Sequence, residues 1–435
     1  MTRGIHAVRM PDRPCVDCLG QSAFRLDRLS RPRERGFWLV AYVLAVTQLG
    51  TSLPAPLYAI YQRQWHFSAG AVTLVFAVYA VAVLVTLLLA GRASDQVGRK
   101  PVMAAALGFS AVSTVVFILA NGVSWLYLAR VLSGLSAGLI IGASTAALTE
   151  MVQASAARRS SLVATAAISG GAGLGPLVAG LFAQYLPRPT VLVFEAYLGL
   201  LAIAALATVT VPETVTRRER LSLRFTGLGI PSEGRNEFVA AGLAAFAAYA
   251  LTGLFTSVAP SFTEDMLHKT NYAVAGGVAF LVFAAATAVA LGVARFHSRP
   301  VVLTGLGLFL PGLALVVAGI AAASLSLFLA GAVVGGSAVG AMNVGSLSTT
   351  NRLAGEENRA RVLSSYFVFA YLGLIIPVVG VGVASDHVGD FRAVLGCSIV
   401  LAGLCVFAAG ATIAGDRAAP VRGRPARAPA SPRAR

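Results

Sequence analysis

Two ionisable side chains stand well inside long apolar runs of this sequence, Arg130 and Glu195. A charge in such a setting is costly unless it is paired or used. If the runs are helices, both residues lie about five residues from the same side of the layer, some 7 to 8 Å deep at ~1.5 Å rise per residue. Opposite charges at one depth can pair, and a carboxylate whose partner comes and goes has a movable pKa. The spacing makes Glu195 a candidate proton carrier and Arg130 the group that releases it; a place among lipid headgroups is the other setting open to Glu195. A third polar site is the stretch 91–102, GRASDQVGRKPV, which sets Asp95 against Arg92, Arg99 and Lys100. Its chemistry is ion pairing. Other chemistries find little support. His6, His66, His268, His297 and His387 fall in tails, loops or run ends, and neither a His-Glu-x-x-His signature nor a P-loop occurs. Cys15 and Cys18 form a C-x-x-C pair in the amino-terminal tail, without the further ligands of a zinc site. No metal, no cofactor and no enzymatic activity are expected.

The elements that must position these residues are apolar segments. The chain is 57% hydrophobic and 12% charged, against about 25% charged in a soluble domain. The fold class expected is an all-α polytopic membrane protein. Twelve segments lie near 37–58, 71–90, 102–121, 125–148, 162–185, 190–211, 238–262, 273–294, 301–321, 324–350, 363–385 and 393–415. Each approaches or exceeds the ~20 residues of a membrane-crossing helix. The net charge of +16 resides in loops and tails, so the lipid bilayer is the expected partner and nucleic acid is not. Residues 1–36 and 416–435 read as disordered basic tails, and 212–237 as a linker carrying Arg217, Arg218, Arg220, Arg224 and Arg235. Between them lie two six-helix bundles, 37–211 and 238–415.

Alternate loops hold 29 Lys plus Arg on one side and four (Arg63, Arg188, Lys269, Arg392) on the other. That asymmetry places both termini in the cytoplasm. Lys100 and Lys269 are the two lysines among many arginines, a bias of GC-rich bacterial genomes, which makes the bacterial inner membrane the expected location. The first apolar run begins after residue 36 and is too long for a signal-peptide core. Pro54 and Pro56 can kink or end the first span near its outer end. Gly98 is expected at positive φ, and Gly91 to end a span and let a neighbouring helix pack close.

The halves repeat at separations near 200. Thr51-Ser52 echoes Thr256-Ser257, Ala69-Gly70 echoes Ala275-Gly276, and Pro176 echoes Pro377. A parallel six-span repeat, with the 91–102 stretch between spans two and three, resembles the major facilitator superfamily. The spaced glycines Gly91 and Gly98, Asp95, and the Arg99-Lys100 pair match that family's signature loop; Gln96 and Val97 depart from it. Arg130 followed by Gly134 and Gly138 resembles the family's span-four motif. Gly171, Gly175, Pro176 and Gly180 resemble its span-five antiporter motif, with Ala179 in place of a glycine. By this resemblance Glu150, ending span four, clasps the signature-loop arginine, and Arg99 bridges Asp95 and Glu150. Asp95 would dock on the amino end of span eleven, latching the halves on the cytoplasmic side. Spans one, four, seven and ten would line the cavity, offering Gln48, Thr51, Arg130, Tyr249, Thr252 and Asn343.

The resemblance implies a secondary active transporter acting as a monomer by alternating access. The span-five motif favours proton-coupled efflux. A mostly apolar cavity with few polar anchors suits small amphiphilic or drug-like molecules. A proton-coupled importer on the same scaffold is the alternative, and a membrane enzyme a more distant one.

Overall fold

The computed structural model describes residues 16–153, 156–215, 225, 227–267, 271–355 and 358–417. Cys15, the arginines 217, 218, 220 and 224, and the carboxyl-terminal tail lie outside them; Cys18 lies where only the backbone is described.

Lipid offers no hydrogen bonds, so a spanning segment must satisfy its backbone internally. The apolar runs accordingly form helices. The first half contains α1 (Val16–Ser52), α2 (Tyr58–Trp65), α3 (Ala69–Ala90), α4 (Ala93–Val97), α5 (Arg99–Ile118), α6 (Val123–Glu150), α7 (Ala157–Tyr185) and α8 (Pro189–Thr210). The second contains α9 (Arg235–Leu267), α10 (Tyr272–Val293), α11 (Ser298–Ala321), α12 (Leu325–Leu353), α13 (Arg359–Val388) and α14 (Asp390–Arg417). Among the described residues, eleven of these are long and apolar enough to cross a membrane. The first expected span falls on α1 and α2, which a break separates.

That break revises the expected first span of 37–58. The helix stops at Ser52, residues 53–57 turn, and α2 resumes at Tyr58. Pro54 and Pro56 supply no N–H, so the ladder cannot continue through them. Turn bonds replace it, from Ala55 N to the Ser52 carbonyl (3.0 Å) and from Leu57 N to the Pro54 carbonyl (3.0 Å). A second revision concerns the tail. The helical backbone of α1 reaches back to Val16, into the stretch expected to be disordered. Extending a nucleated helix costs far less than starting one, and Leu, Arg, Gln and Ala there are good helix formers.

Each half has its own core. One runs from Phe37 to Val211 through Leu44, Met103, Ile140 and Phe194. The other runs from Ala244 to Ala408 through Phe309, Phe328 and Met342. A smaller cluster joins the halves, where Phe76, Ala80 and Val83 of α3 meet Tyr371, Leu374 and Val378 of α13. The face carrying the 91–102 stretch is the basic face, and the other is the opposite face.

The halves meet along two seams at the opposite face, α7 against α10 and α3 against α13. On the first, a Cβ at Gly180 would lie 2.4 Å from the Tyr272 carbonyl oxygen, and one at Gly276 would lie 2.2 Å from that of Pro176. The Gln184 side-chain oxygen also accepts from Tyr272 N (3.0 Å), and Arg63 Nη1 donates to the Tyr272 hydroxyl (3.3 Å). On the second, a Cβ at Gly382 would lie 2.1 Å from Thr73 Oγ1. On the first seam backbone meets backbone, and on the second a glycine backbone meets the Thr73 side chain, so both seams hold the halves close together at the opposite face.

Candidate functional site

Two polar centres emerge, one at the basic face and one behind a cavity between the halves.

At the basic face, Arg99 begins α5. Its Nη1 bonds Asp95 Oδ1 at 2.5 Å and Ser94 Oγ at 2.7 Å. Its Nη2 and Nε reach Glu150 Oε1 and Oε2 at 2.6 and 3.3 Å. A planar guanidinium suits such a two-sided clasp, since its donors form a rigid fork. Thr214 also donates its hydroxyl to Glu150. Gly98 has φ 109°, a conformation open to glycine. Gly91 ends α3 as expected but does not bring in a neighbouring helix. Its backbone is right-handed helical, and a Cβ there would meet only its own helix at the Leu87 carbonyl, 2.6 Å away, rather than a neighbouring helix. Among the described residues Asp95 bonds Arg99, not α13, and its side chain is 56% exposed. The contact to span eleven is open in this conformation.

Sequence reading missed Glu213 as a member of this centre. Its carboxylate accepts from Arg99 N (2.9 Å) and Lys100 N (3.1 Å), capping the orphan N–H groups of α5 from outside that helix. An anion there also complements the helix dipole. Lys100 Nζ donates to the Val209 carbonyl at 2.7 Å, tying α5 to the end of α8. The Pro212-Glu213-Thr214 sequence is visible, but no spacing rule relates it to a helix over a hundred residues earlier. Partial burial works to raise the Glu213 pKa. Hydrogen bonds from the backbone N–H groups of Arg99, Val215, Lys100 and Thr214 outweigh it, and the carboxyl sits below its usual 4.5. A depressed carboxyl stabilises the fold above its unfolded pKa and loses that contribution as pH falls through the folded value. Glu213→Gln should therefore lower the thermal midpoint in detergent at pH 7. The gap to the parent should narrow as pH falls below about 4.5. A gap that does not change with pH would remove the charge from the explanation.

The second centre is a cavity of about 170 Å³ between the halves. Gln48, Thr51, Tyr249, Thr252 and Asn343 all line it. Its walls extend beyond spans one, four, seven and ten: Phe76 and Tyr79 come from α3, Phe283 from α10 and Tyr371 from α13. No periodicity marks those aromatics, because only the meeting of the halves turns them inward.

Arg130 is not on the cavity wall. It is 0% exposed, behind that wall. Its Nε donates to the Tyr58 hydroxyl and its Nη1 to the Thr51 carbonyl (2.5 Å). The guanidinium carbon lies 5.2, 5.3 and 5.9 Å from the ring centres of Tyr58, Tyr79 and Phe117. The break after Ser52 makes this possible, since it turns Tyr58 toward α6 and frees the Thr51 carbonyl from the helical ladder.

The expected pairing of Arg130 with Glu195 does not form. Glu195 is exposed on α8 while Phe194 and Tyr197 beside it are buried, so the helix turns its apolar face inward and Glu195 outward. Equal depth did not imply facing sides. Gly134 and Gly138 bring α6 against α3 at Tyr79, Ala82 and Thr86.

The span-five glycines close α7 on α1. A Cβ at Gly171 would lie 2.4 Å from the Ala45 carbonyl oxygen, and one at Gly175 2.4 Å from that of Leu49. Pro176 cannot donate to the Ala172 carbonyl four residues earlier. Ser52 Oγ of α1 fills that place, 2.5 Å from the Ala172 oxygen.

With this geometry in view, the sequence profile of the Major Facilitator Superfamily matches residues 40–292 and 238–435. The chain belongs to that superfamily. It is 29% identical over 184 residues to Multidrug resistance protein 1 of Bacillus subtilis (strain 168), covering 42% of this chain and 47% of the relative. It is 34% identical over 141 residues to the multidrug transporter MdfA of Edwardsiella piscicida, covering 32% of this chain and 34% of the relative. The chain thus spans half or less of the length of these curated relatives. The crystal structure of the human organic anion transporter MFSD10 superposes with a TM-score of 0.63 at 20% identity, over 88% of this chain and 99% of that one. At that identity the likeness concerns the fold. The protein is a multi-pass membrane protein of this superfamily.

Proposed function

We propose that the protein exports small amphiphilic, drug-like molecules across the bacterial inner membrane by alternating access, acting as a monomer with protons as the coupling ion. The observation that carries this reading is the cavity itself, built from both halves and lying beneath the seams at the opposite face. A site between two bodies changes its exposure when they rock, which is the general geometry of secondary transport. In this reading the basic face is cytoplasmic, following its excess of Lys and Arg. The multidrug relatives named above support export, and the Gly171–Gly180 packing of α7 fits the antiporter motif. Asp95, held on α4 by Arg99, is the latch that closes on α13 when the opposite face opens.

The test uses inverted membrane vesicles containing the full chain, with a cationic dye, ethidium, and an anionic dye, anilinonaphthalene sulfonate, as probes, coupled uptake of either one counting as transport. Export coupled to protons predicts that a lumen-acid gradient drives dye uptake several-fold above vesicles lacking the protein. Uptake driven only by a lumen-alkaline gradient would instead assign import.

A further inference from the structure

We propose, resting on the export reading, that the cavity selects anionic aromatic amphiphiles over cationic ones, with Arg130 as the fixed countercharge and Gln48 and Asn343 as polar anchors. No residue lining the cavity is charged. The charge next to it is Arg130, one layer behind. Its Nη1 holds the carbonyl of Thr51 and its guanidinium lies by the ring of Tyr79, and both residues line the cavity.

That charge has no counterion among the described residues. Among the described residues no carboxylate pairs with Arg130, Glu195 faces away, and Nη2 has no hydrogen-bond partner although it is buried. An uncompensated cation in a low-dielectric setting projects its field into the nearest space, because little water screens it. An anion in the cavity gains from that field and a cation loses. The aromatic walls, which could attract cations by their ring faces, are partly spent. Tyr79 already has the guanidinium beside its ring.

The polar contacts a ligand can use are equally specific. Gln48 is 5% exposed and its Oε1 has no partner, and Asn343 Oδ1 is likewise buried and unpartnered, so a ligand in the cavity meets either amide oxygen once that side chain rotates. The hydroxyls of Thr51 and Thr252 are bound to the carbonyls of Gln48 and Ala248 in their own helices. The two amides come from opposite halves, α1 and α12. Each can present either its oxygen or its NH₂ after a half-turn. Buried polar groups without partners are costly, so a ligand that satisfies both amides also draws the halves together. Phe76, Tyr249, Phe283 and Tyr371 supply apolar surface for a planar ring system. The ligand class is a planar aromatic body bearing one carboxylate or sulfonate. Outward movement of such an anion is favoured by the inside-negative potential of a bacterial membrane, whatever the coupling ion contributes.

The test compares two radiolabelled probes on one ring system, a naphthalene sulfonate and a naphthyl trimethylammonium, both permanently charged. Binding to the purified full chain and uptake into inverted vesicles are measured, with the lumen made positive by valinomycin and external potassium. The sulfonate is expected to bind at least ten-fold more tightly, and its uptake to rise with lumen-positive potential. Gln48→Glu, which places a carboxylate in the cavity near Arg130, is expected to reverse the order of the two probes. Equal or tighter binding of the trimethylammonium by the unaltered protein overturns the anion assignment, and its uptake under a lumen-acid gradient would leave export standing. Tight sulfonate binding with uptake only under lumen-negative potential would overturn export and leave the anion site. Binding of neither probe overturns the anion site, and export is then judged by the dye assay alone.

Discussion

Gly276→Leu is expected to abolish transport while leaving both six-helix halves folded. A Cβ at this position would lie 2.2 Å from the Pro176 carbonyl oxygen and 3.2 Å from the Cα of Gly180. Both neighbours are backbone of α7, so no rotamer change can make room. The conflict arises between the halves and not within either core, so it acts on one conformation, the one sealed at the opposite face. Overpacking costs about 1–3 kcal/mol, occasionally more. A bias of that size lowers the sealed population about 5- to 150-fold. A transporter that cannot close one face cannot complete a cycle. The measurement replaces the four native cysteines by serine and introduces one cysteine at Thr252, which lines the cavity. An impermeant thiol reagent applied from the opposite face should label it many-fold faster in Gly276→Leu than in the parent. Unchanged labelling with normal transport would mean that the α7–α10 seam is not a gate.

Arg130→Met is the second large effect, and its two readouts are expected to move apart. A buried ion without a counterion is weak support for a fold, and replacing buried ionic groups by apolar ones of similar size is often neutral or stabilising by about 1–4 kcal/mol. The bonds lost, to the Tyr58 hydroxyl and the Thr51 carbonyl, are worth on average about 0.6 kcal/mol each between membrane helices. The thermal midpoint in detergent should therefore hold or rise. Transport of an anionic probe should fall about thirty-fold, because a unit charge one layer away, on the order of 8 Å, is worth about 2 kcal/mol at an effective dielectric of about 20. A sharp drop in thermal stability would make Arg130 a packing anchor instead. Undiminished transport would take its charge out of the mechanism.

The amino-acid sequence alone determined what depends on composition and on neighbours along the chain. Lipid requires long apolar helices, so the spans could be read directly, from α3 at Ala69–Ala90 to α14 at Asp390–Arg417. The positive φ of Gly98 was equally local, since the turn between α4 and α5 demands it. Relations across the chain were legible only where a family motif carried them, as with Arg99 placed between Asp95 and Glu150.

The tertiary structure decided which way each side chain faces. Arg130 and Glu195 share a depth but not a direction, because the rotation of α8 about its axis is set by packing Phe194 and Tyr197 inward, a matter of three-dimensional fit. The partner Arg130 found instead, Tyr58, depends on a break at Pro54 and Pro56 that redirects the chain. Glu213 caps a helix from beyond its own span, and the aromatic walls of the cavity exist only because α3, α10 and α13 of different halves converge. A linear pattern encodes depth and periodicity, whereas the azimuth of a membrane helix is fixed by its neighbours, and the chemistry of this site follows from azimuth.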